Sequence, residues 1–420
     1  MDFIGKLFKG DRVIWVIYLL LCLISMIEVY SASSHLIYKS GDYWRPITQH
    51  VSYLLIGVLV VWIVHNVNYK WFQGISLLLL LLSIPLLIFV SVFGTMTNGA
   101  ARWLALGGIQ FQPSELAKMA VVLSTALVLG KFQDEEGANP KAFKWIMLIT
   151  MVTVLLIAPE NLSTAMLLFG VVLLMMIIGN VPFRQWGKLV GCLAILGVLS
   201  VGLLVALPKN TFSSTPGLHR LTTWQNRITG FFTSDEVVTP EAYVVTDSNE
   251  QVTHANIAIA TSHLVGKMPG NSVQRDFLSQ AFSDFIFAII IEELGLIGGA
   301  FVVFLYICLL FRVGYIAKRA KGNFASILII GIALLLVSQA LLNMMVAVGL
   351  FPVTGQPLPL ISKGGTSTLI NCVYIGMILS VSRYTLETQQ KEENGEQVDA
   401  SLAEPSSAVL QDKGMTDENR

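Results

Sequence analysis

The chain has 420 residues, of which 54% are hydrophobic and 13% charged, and its 27 basic and 27 acidic residues cancel. Soluble domains carry about 25% charged residues, so this composition excludes an ordinary soluble protein. The balanced charge excludes a strongly basic nucleic-acid binder, and the low polarity excludes general disorder. A polytopic membrane protein remains.

The apolar residues fall into ten runs, each near the roughly 20 residues that a helix needs to cross a bilayer. We therefore predict an all-α integral membrane protein with ten transmembrane helices. The predicted spans are residues 13–32, 49–67, 74–93, 114–131, 145–159, 161–180, 187–207, 284–311, 325–350 and 366–383.

Basic residues predict the orientation, because cytoplasmic loops carry an excess of Lys and Arg. With residues 1–12 placed in the cytoplasm, the inside loops hold far more basic residues than the short outside loops. Both termini are then cytoplasmic, and the membrane domain covers residues 13–383. Residues 208–283 form a long extracytoplasmic loop between spans seven and eight. The acidic segment 384–420 is predicted to be a disordered cytoplasmic tail.

Some charged residues lie within or at the ends of the apolar runs, where each costs about 2.5–3.5 kcal/mol on insertion scales. Glu115 and Lys118 are three positions apart and share a helix face, so they can pair. A packing ion pair and a substrate-binding role both fit them. The other charges of this kind are Glu28, Glu292 and Glu293.

Asp284 stands where the long outside loop meets the eighth span. A partly desolvated carboxylate at this boundary has a raised pKa and suits a general base. An N-cap is the other interpretation, and it is the commoner role for an aspartate just before a helix. Glu292 follows two turns later in the span, and Glu293 faces away from Asp284.

Basic residues on the outer side are candidates for holding an anionic group, since arginine donates two hydrogen bonds to phosphate. Each of them taken alone also fits a solvated loop charge. They are Arg102, Arg220, Arg227, Lys267, Arg275 and Lys363. The six histidines show no metal-binding spacing, so no protein-held metal is predicted.

Four motifs together resemble the SEDS family of shape, elongation, division and sporulation proteins (FtsW, RodA and SpoVE). They are N-G-A-A-R-W-L at 98–104, F-Q-P-S-E-L-A-K at 111–118, S-D-F-I-F-A with E-E-L-G at 283–295, and P-L-I-S-K-G-G-T-S at 359–367. Their order and spacing, ten spans and a long loop after the seventh are the pattern of this family. The first motif and the extended tail are more similar to the division members than to the elongation members.

The resemblance implies a peptidoglycan glycosyltransferase of the cytoplasmic (inner) membrane that polymerises lipid II during septal wall synthesis. The family's catalytic aspartate falls on Asp284, which favours the general-base role over the cap. Candidate substrate-binding residues are Arg102, Gln112, Ser114, Glu115, Lys118, Arg220, Arg227 and Lys363. A divalent cation, Mg²⁺ or Mn²⁺, is expected on the substrate pyrophosphate. The implied partners are a class B penicillin-binding transpeptidase and other membrane proteins of the division machinery, with no nucleic acid.

The sequence departs from the family pattern at three positions near these motifs. Gln280 replaces a glutamate, Phe282 replaces a histidine, and Lys363 stands where a tyrosine is common. A mechanism that needs that glutamate or histidine therefore does not transfer. A lipid II flippase, a non-catalytic scaffold and an elongation polymerase are the alternative functions.

Overall fold

The computed structural model describes residues 8–32, 45–97, 100–106, 109–134, 137–206, 225, 250–278 and 281–403. Within these ranges the chain is mostly helical. The helices are α1 Arg12–Ala32, α2 Arg45–Asn66, α3 Trp71–Phe93, α4 Pro113–Lys131, α5 Pro140–Ile157, α6 Leu162–Ile178, α7 Phe183–Ala206, α8 Glu250–Ala260, α9 Ile286–Arg319, α10 Asn323–Ala347 and α11 Thr366–Ala403.

Each of the ten predicted spans coincides with one of these helices, and α8 belongs to the long loop. Among the described residues, eight helices are long and apolar enough to cross a membrane, and α6 is apolar but has 17 residues. The polytopic helical architecture is thus confirmed, whereas the number of ten spans stays a prediction. The short connection between α5 and α6 forms a hairpin, as its sequence predicts.

Helix starts follow local chemistry. Proline is the first residue of α4 and of α5, where its missing N–H is not needed. The side chain of Asn139 accepts a hydrogen bond from the nitrogen of Lys141 at 3.0 Å and caps α5. Asn161 caps α6 in the same way through the nitrogen of Thr164 at 3.2 Å. These caps fix the ends of helices that lie beside the candidate site.

One element is absent from the all-α prediction, a three-stranded antiparallel sheet between α3 and α4. Its strands are β1 Thr95–Thr97, β2 Ala100–Leu106 and β3 Ile109–Phe111, in the order β1-β2-β3. Thr95 pairs with Trp103, and Leu104 pairs with Phe111. The sheet matters because β2 carries Arg102 toward the helical bundle. A short second ladder joins β4 Gln133–Asp134 to β5 Gly137–Ala138.

The first two helices of the chain pack against the last one. A Cβ built on Gly57 of α2 would lie 2.6 Å from Sγ of Cys372, and one on Gly376 of α11 would lie 2.7 Å from Cβ of Val64. Tyr18 of α1 contacts the same Cys372 through its hydroxyl at 3.4 Å. Small residues thus let the helix backbones approach closely, as is usual in membrane bundles.

The long loop and the tail are described in part. Helix α8 buries Thr253, Ala255 and Ala258 on one face. Helix α11 continues to Ala403, through the first twenty residues of the segment predicted to be a disordered tail. That stretch is rich in Gln and Glu, which are good helix formers. Residues 404–420 lie outside the described residues.

Candidate active site

Asp284 lies just before α9 and is half-buried. The helix begins at Ile286, and its N-cap residue is Phe285, which makes no side-chain cap. The N-cap position therefore falls on Phe285, one residue after Asp284. Oδ1 of Asp284 accepts a hydrogen bond from the Ser283 hydroxyl at 3.0 Å.

The main chain around Asp284 is held by the polar ends of α10 and of the segment that follows it. Nδ2 of Asn343 donates to the carbonyl of Asp284 at 2.8 Å. The hydroxyl of Ser362 donates to the carbonyl of Ser283 at 2.6 Å, and the nitrogen of Lys363 donates to the carbonyl of Phe282 at 2.9 Å. Three consecutive carbonyls are thus bound, which fixes the backbone that carries the carboxylate.

Arg102 and Asp284 both lie beside Gly355. The Arg102 Nε donates to the carbonyl of Glu160 at 2.7 Å, which orients the guanidinium. A Cβ placed on Gly355 would lie 3.5 Å from Oδ2 of Asp284 and 3.8 Å from Nη1 of Arg102. The structure therefore brings a carboxylate oxygen and a guanidinium nitrogen within 3.8 Å of the same point beside Gly355.

Glu115 and Lys118 form the ion pair that their spacing predicts. The Lys118 Nζ lies 2.8 Å from Oε1 of Glu115 and donates to Oε1 of Gln339 at 2.9 Å. Lys118 is 0% exposed and Glu115 is 3% exposed, so the pair is buried. The Nε2 of Gln339 donates to the carbonyl of Pro357 at 3.1 Å, which ties the pair to the segment after α10.

The remaining candidates in the F-Q-P-S-E-L-A-K motif are at the start of α4. Gln112 is the N-cap residue and makes no side-chain cap, and it is half-buried. Ser114 is buried and lines a small cavity together with Arg102 and Glu160. Ser114 therefore lines the same cavity as Arg102, whereas Gln112 stands at the N-cap of α4.

The side chain of Lys363 contacts an aromatic ring and is not simply a solvent-exposed charge. Its Nζ lies 5.5 Å from the centre of the Phe282 ring, a cation–π contact. Burial lowers the pKa of Lys363 from its ordinary value. The two remaining basic candidates, Arg220 and Arg227, lie outside the described residues.

Several polar residues near Asp284 were not predicted from the sequence. Asn343 also donates to the carbonyl of Gln356 at 2.7 Å, and Nε2 of Gln356 donates to the hydroxyl of Thr164 at 2.6 Å. Gln339 and Asn343 are four positions apart in an otherwise apolar helix, so they share one face. A pair of amide side chains on one face of a membrane span is the sequence feature that could have identified these residues.

The fold and these contacts define a class of protein. It is a polytopic membrane protein whose helices and connecting segments enclose a charged site. In that site Asn343 binds the main-chain carbonyl of Asp284, whose carboxylate is half-buried, and the carbonyl of Glu160 binds the Arg102 guanidinium. The amide of Gln339 binds the buried Glu115–Lys118 pair. Such a site suits a substrate with polar, anionic parts that is taken from the membrane.

Comparison with known proteins gives the family. Residues 11–387 match the family model of FtsW, RodA and SpoVE, described as a cell cycle protein. The chain is 32% identical over 381 residues to a probable peptidoglycan glycosyltransferase FtsW of Halomonas elongata, with 89% of this chain and 90% of that protein covered. It is 29% identical to stage V sporulation protein E of Bacillus subtilis, with 89% and 97% covered. The chain belongs to the FtsW/RodA/SpoVE family, which confirms the resemblance seen in its motifs.

Solved structures share the fold. One is a chain from a study of polymerization and crosslinking by a peptidoglycan synthase complex. It aligns with a TM-score of 0.70 at 23% identity over 90% of this chain and 98% of that one. The rod shape determining protein RodA of Thermus thermophilus aligns with a TM-score of 0.60 at 22% identity, covering 89% and 97%. At these identities the likeness concerns the fold alone.

Proposed function

We propose that this chain is a peptidoglycan glycosyltransferase that polymerises lipid II, with Asp284 as its general base. The names of several relatives, probable peptidoglycan glycosyltransferases, support the activity. The observation that carries the base assignment is the space beside Gly355. The Asp284 carboxylate and the Arg102 guanidinium border it, at 3.5 Å and 3.8 Å from the Cβ position of that glycine.

In the proposed reaction, Asp284 takes the proton of the 4-hydroxyl on the acceptor's terminal GlcNAc. The hydroxyl oxygen forms a bond to C1 of the donor's MurNAc. The bond from C1 to the pyrophosphate oxygen breaks, and undecaprenyl pyrophosphate leaves with the electron pair. A single displacement of this kind inverts the configuration at C1, and the proton on Asp284 passes to water.

Cations of the site stabilise the charge that develops on the leaving pyrophosphate. Arg102 suits this role because its guanidinium is fixed by the carbonyl of Glu160. Lys363 is a second candidate, since its ammonium is partly desolvated over Phe282. Arg220 and Arg227 remain candidates from the sequence. A divalent cation that accompanies the pyrophosphate would add to the same stabilisation.

The Glu115–Lys118 pair is proposed to support the substrate site rather than to move a proton. Both side chains are buried and bound to each other. Lys118 reaches the segment after α10 through Gln339, and the same segment contains Gly355. The pair therefore keeps α4, α10 and this segment in register around the substrate.

The test is polymerisation of lipid II by the purified protein together with its transpeptidase partner. Asp284→Asn should abolish glycan chains while the protein keeps its thermal stability. Asp276→Asn, an aspartate of the same loop whose side chain is 49% exposed, is the matched control and should polymerise normally. Full polymerisation by Asp284→Asn would remove the base assignment. Transbilayer movement of lipid II by a wild type that makes no chains would favour a flippase.

We also propose the cellular setting that the family implies. The protein lies in the cytoplasmic membrane with both termini inside, and Asp284 faces outward. It acts at the division septum with a class B penicillin-binding transpeptidase, and with other membrane proteins of the division machinery. Co-purification of the full chain with that transpeptidase from membranes tests the partner. Protease accessibility of tagged termini in sealed vesicles tests the orientation.

A further inference from the structure

Helix α9 is broken at Gly295, where the backbone has φ 75° and ψ −178°. The break exposes carbonyls that would otherwise bond within the helix. The long loop supplies their donors, since the nitrogen of Lys267 donates to the carbonyl of Glu292 at 2.9 Å. The nitrogen of Met268 donates to the carbonyl of Glu293 at 2.8 Å. The half-helix of residues 286–294 therefore ends on the loop and not on the rest of α9.

The opposite side of the break is satisfied by the same loop. The nitrogen of Leu296 donates to the carbonyl of His263 at 3.2 Å, and that of Ile297 donates to the carbonyl of Leu264 at 3.3 Å. A Cβ built on Gly266 would overlap the main-chain nitrogen of Gly295, so the loop crosses the broken helix with the two backbones in van der Waals contact. A buried polar group left without a hydrogen-bond partner destabilises the fold, so the break depends on the loop.

The side chain of Glu292 continues this attachment. Its carboxylate, which is 0% exposed, lies 2.7 Å from Nζ of Lys267. It accepts hydrogen bonds from the nitrogens of Val273 at 3.2 Å and Gln274 at 3.3 Å, and from the hydroxyl of Ser272. One carboxylate thus accepts hydrogen bonds from three consecutive loop residues, 272–274.

Glu293 does the same on the neighbouring side. Its Oε1 accepts from the nitrogen of Ser272 at 3.2 Å and from the hydroxyl of Ser31 on α1, and it lies 3.7 Å from Nη1 of Arg275. Arg275 also donates to Ser31 at 2.7 Å. The loop, α1 and the half-helix therefore meet at this carboxylate.

The half-helix connects these two carboxylates to Asp284. Ile286, Ile289 and Ile290 are each 0% exposed, and residues 286–293 are buried throughout. At 1.5 Å per residue, its nine residues form a rod of about 13 Å. Because a close-packed interior resists small displacements, a shift at one end of a buried rod is felt at the other.

We propose that Glu292 and Glu293 are positioning residues for Asp284. They anchor the far end of the half-helix to the loop, and this sets where the carboxylate of Asp284 stands relative to Arg102. The inference rests on the proposed function, because Asp284 is the group being positioned. Neither glutamate touches the substrate in this scheme.

The chain provides a matched control in Glu28 of α1. It is 0% exposed and close enough to Glu293 to interact electrostatically. Among the described residues, neither of its carboxylate oxygens has a hydrogen-bond partner. Glu28→Gln therefore changes the same side chain in the same surroundings without removing a loop contact.

The experiment compares wild type, Glu293→Gln, Lys267→Met and Glu28→Gln, each purified with the transpeptidase partner. We expect kcat for lipid II polymerisation to fall about 10- to 100-fold in Glu293→Gln, with KM changed less than about 2-fold, because a misplaced base slows only the chemical step. Lys267→Met should show a smaller loss of the same kind, and Glu28→Gln should match wild type. Hydrogen–deuterium exchange over residues 281–294 should be faster in the first two variants.

Wild-type kcat and exchange in both Glu293→Gln and Lys267→Met would overturn the proposal, as would an equal loss in Glu28→Gln. If Glu293→Gln does not fold, Lys267→Met decides, since Nζ of Lys267 is at the exposed edge of the cluster. A wild type that makes no glycan removes the proposed function instead. The exchange measurement then still decides whether the two carboxylates hold the half-helix.

Discussion

Gly355 offers the sharpest test of the site, because the carboxylate of Asp284 and the guanidinium of Arg102 both lie next to it. In Gly355→Ala the backbone would have to keep φ +67°, a conformation that costs a residue with a Cβ about 1–2 kcal/mol. The new methyl would lie 3.5 Å from Oδ2 of Asp284 and 3.8 Å from Nη1 of Arg102, which is ordinary contact. The variant should therefore fold, with its unfolding free energy lowered only by the backbone strain.

Its activity should fall much further than its stability. In the proposed mechanism the acceptor hydroxyl approaches Asp284 through the space that this methyl would occupy, and an error of about 1 Å in such a position costs about 100-fold in rate. That loss corresponds to about 2.7 kcal/mol in the activation barrier. The assay is lipid II polymerisation by the purified variant with its transpeptidase partner, measured beside thermal unfolding in detergent.

Gly349 supplies the control for backbone strain. It has φ +76°, and its Cβ would lie 3.6 Å from Oδ1 of Asn256, an exposed residue away from Asp284. Gly349→Ala should lose the same stability as Gly355→Ala and keep its activity. Equal loss of activity in the two variants, or full activity in Gly355→Ala, would refute the reasoning.

Three further predictions concern the surroundings of the site. Asn343→Leu removes the donor to the carbonyl of Asp284 and to a second buried carbonyl, that of Gln356. The free energy of unfolding should fall by about 1–3 kcal/mol per carbonyl, and the rate of lipid II polymerisation should fall as well. Lys118→Met leaves the buried Glu115 carboxylate unpaired and should cost about 3–5 kcal/mol, whereas the double variant with Glu115→Gln should recover most of it in a double-mutant cycle. Burial lowers the pKa of Lys363 below its ordinary 10.5, so the unfolded chain holds this proton to higher pH. Wild-type thermal stability should then rise with pH between the lowered pKa and 10.5 relative to Lys363→Met.

Much of the fold follows from the sequence because crossing a bilayer imposes length and apolarity on each helix. All ten apolar runs coincide with helices, and the Glu115–Lys118 spacing correctly predicts an ion pair. The family motifs also mark Asp284 and Arg102, which the fold brings together next to Gly355. Local sequence patterns and family motifs therefore identify the principal charged residues of the site.

The rest could not be read from local pattern, because it depends on contacts between distant segments. Residues 284–311 read as one continuous apolar span, yet Gly295 divides it, since loop residues far upstream supply the missing hydrogen bonds. The sequence alone shows Glu292 as a charged residue deeper within that span. In the structure its carboxylate forms an ion pair with Lys267 of the long loop. The donors of Asn343 and Ser362 point at carbonyls, which carry no sequence signal at all.

The packing of the first helices against the last has a consequence for biosynthesis. Tyr18 and Cys372 touch although 354 positions separate them, and Gly57 on the neighbouring helix meets the same cysteine. The early helices enter the bilayer long before α11 is translated, so during synthesis their small-residue faces meet lipid. The bundle can close only at the end of translation. A chain truncated before α11 should therefore insert its early helices and still remain an open assembly that quality-control proteases recognise.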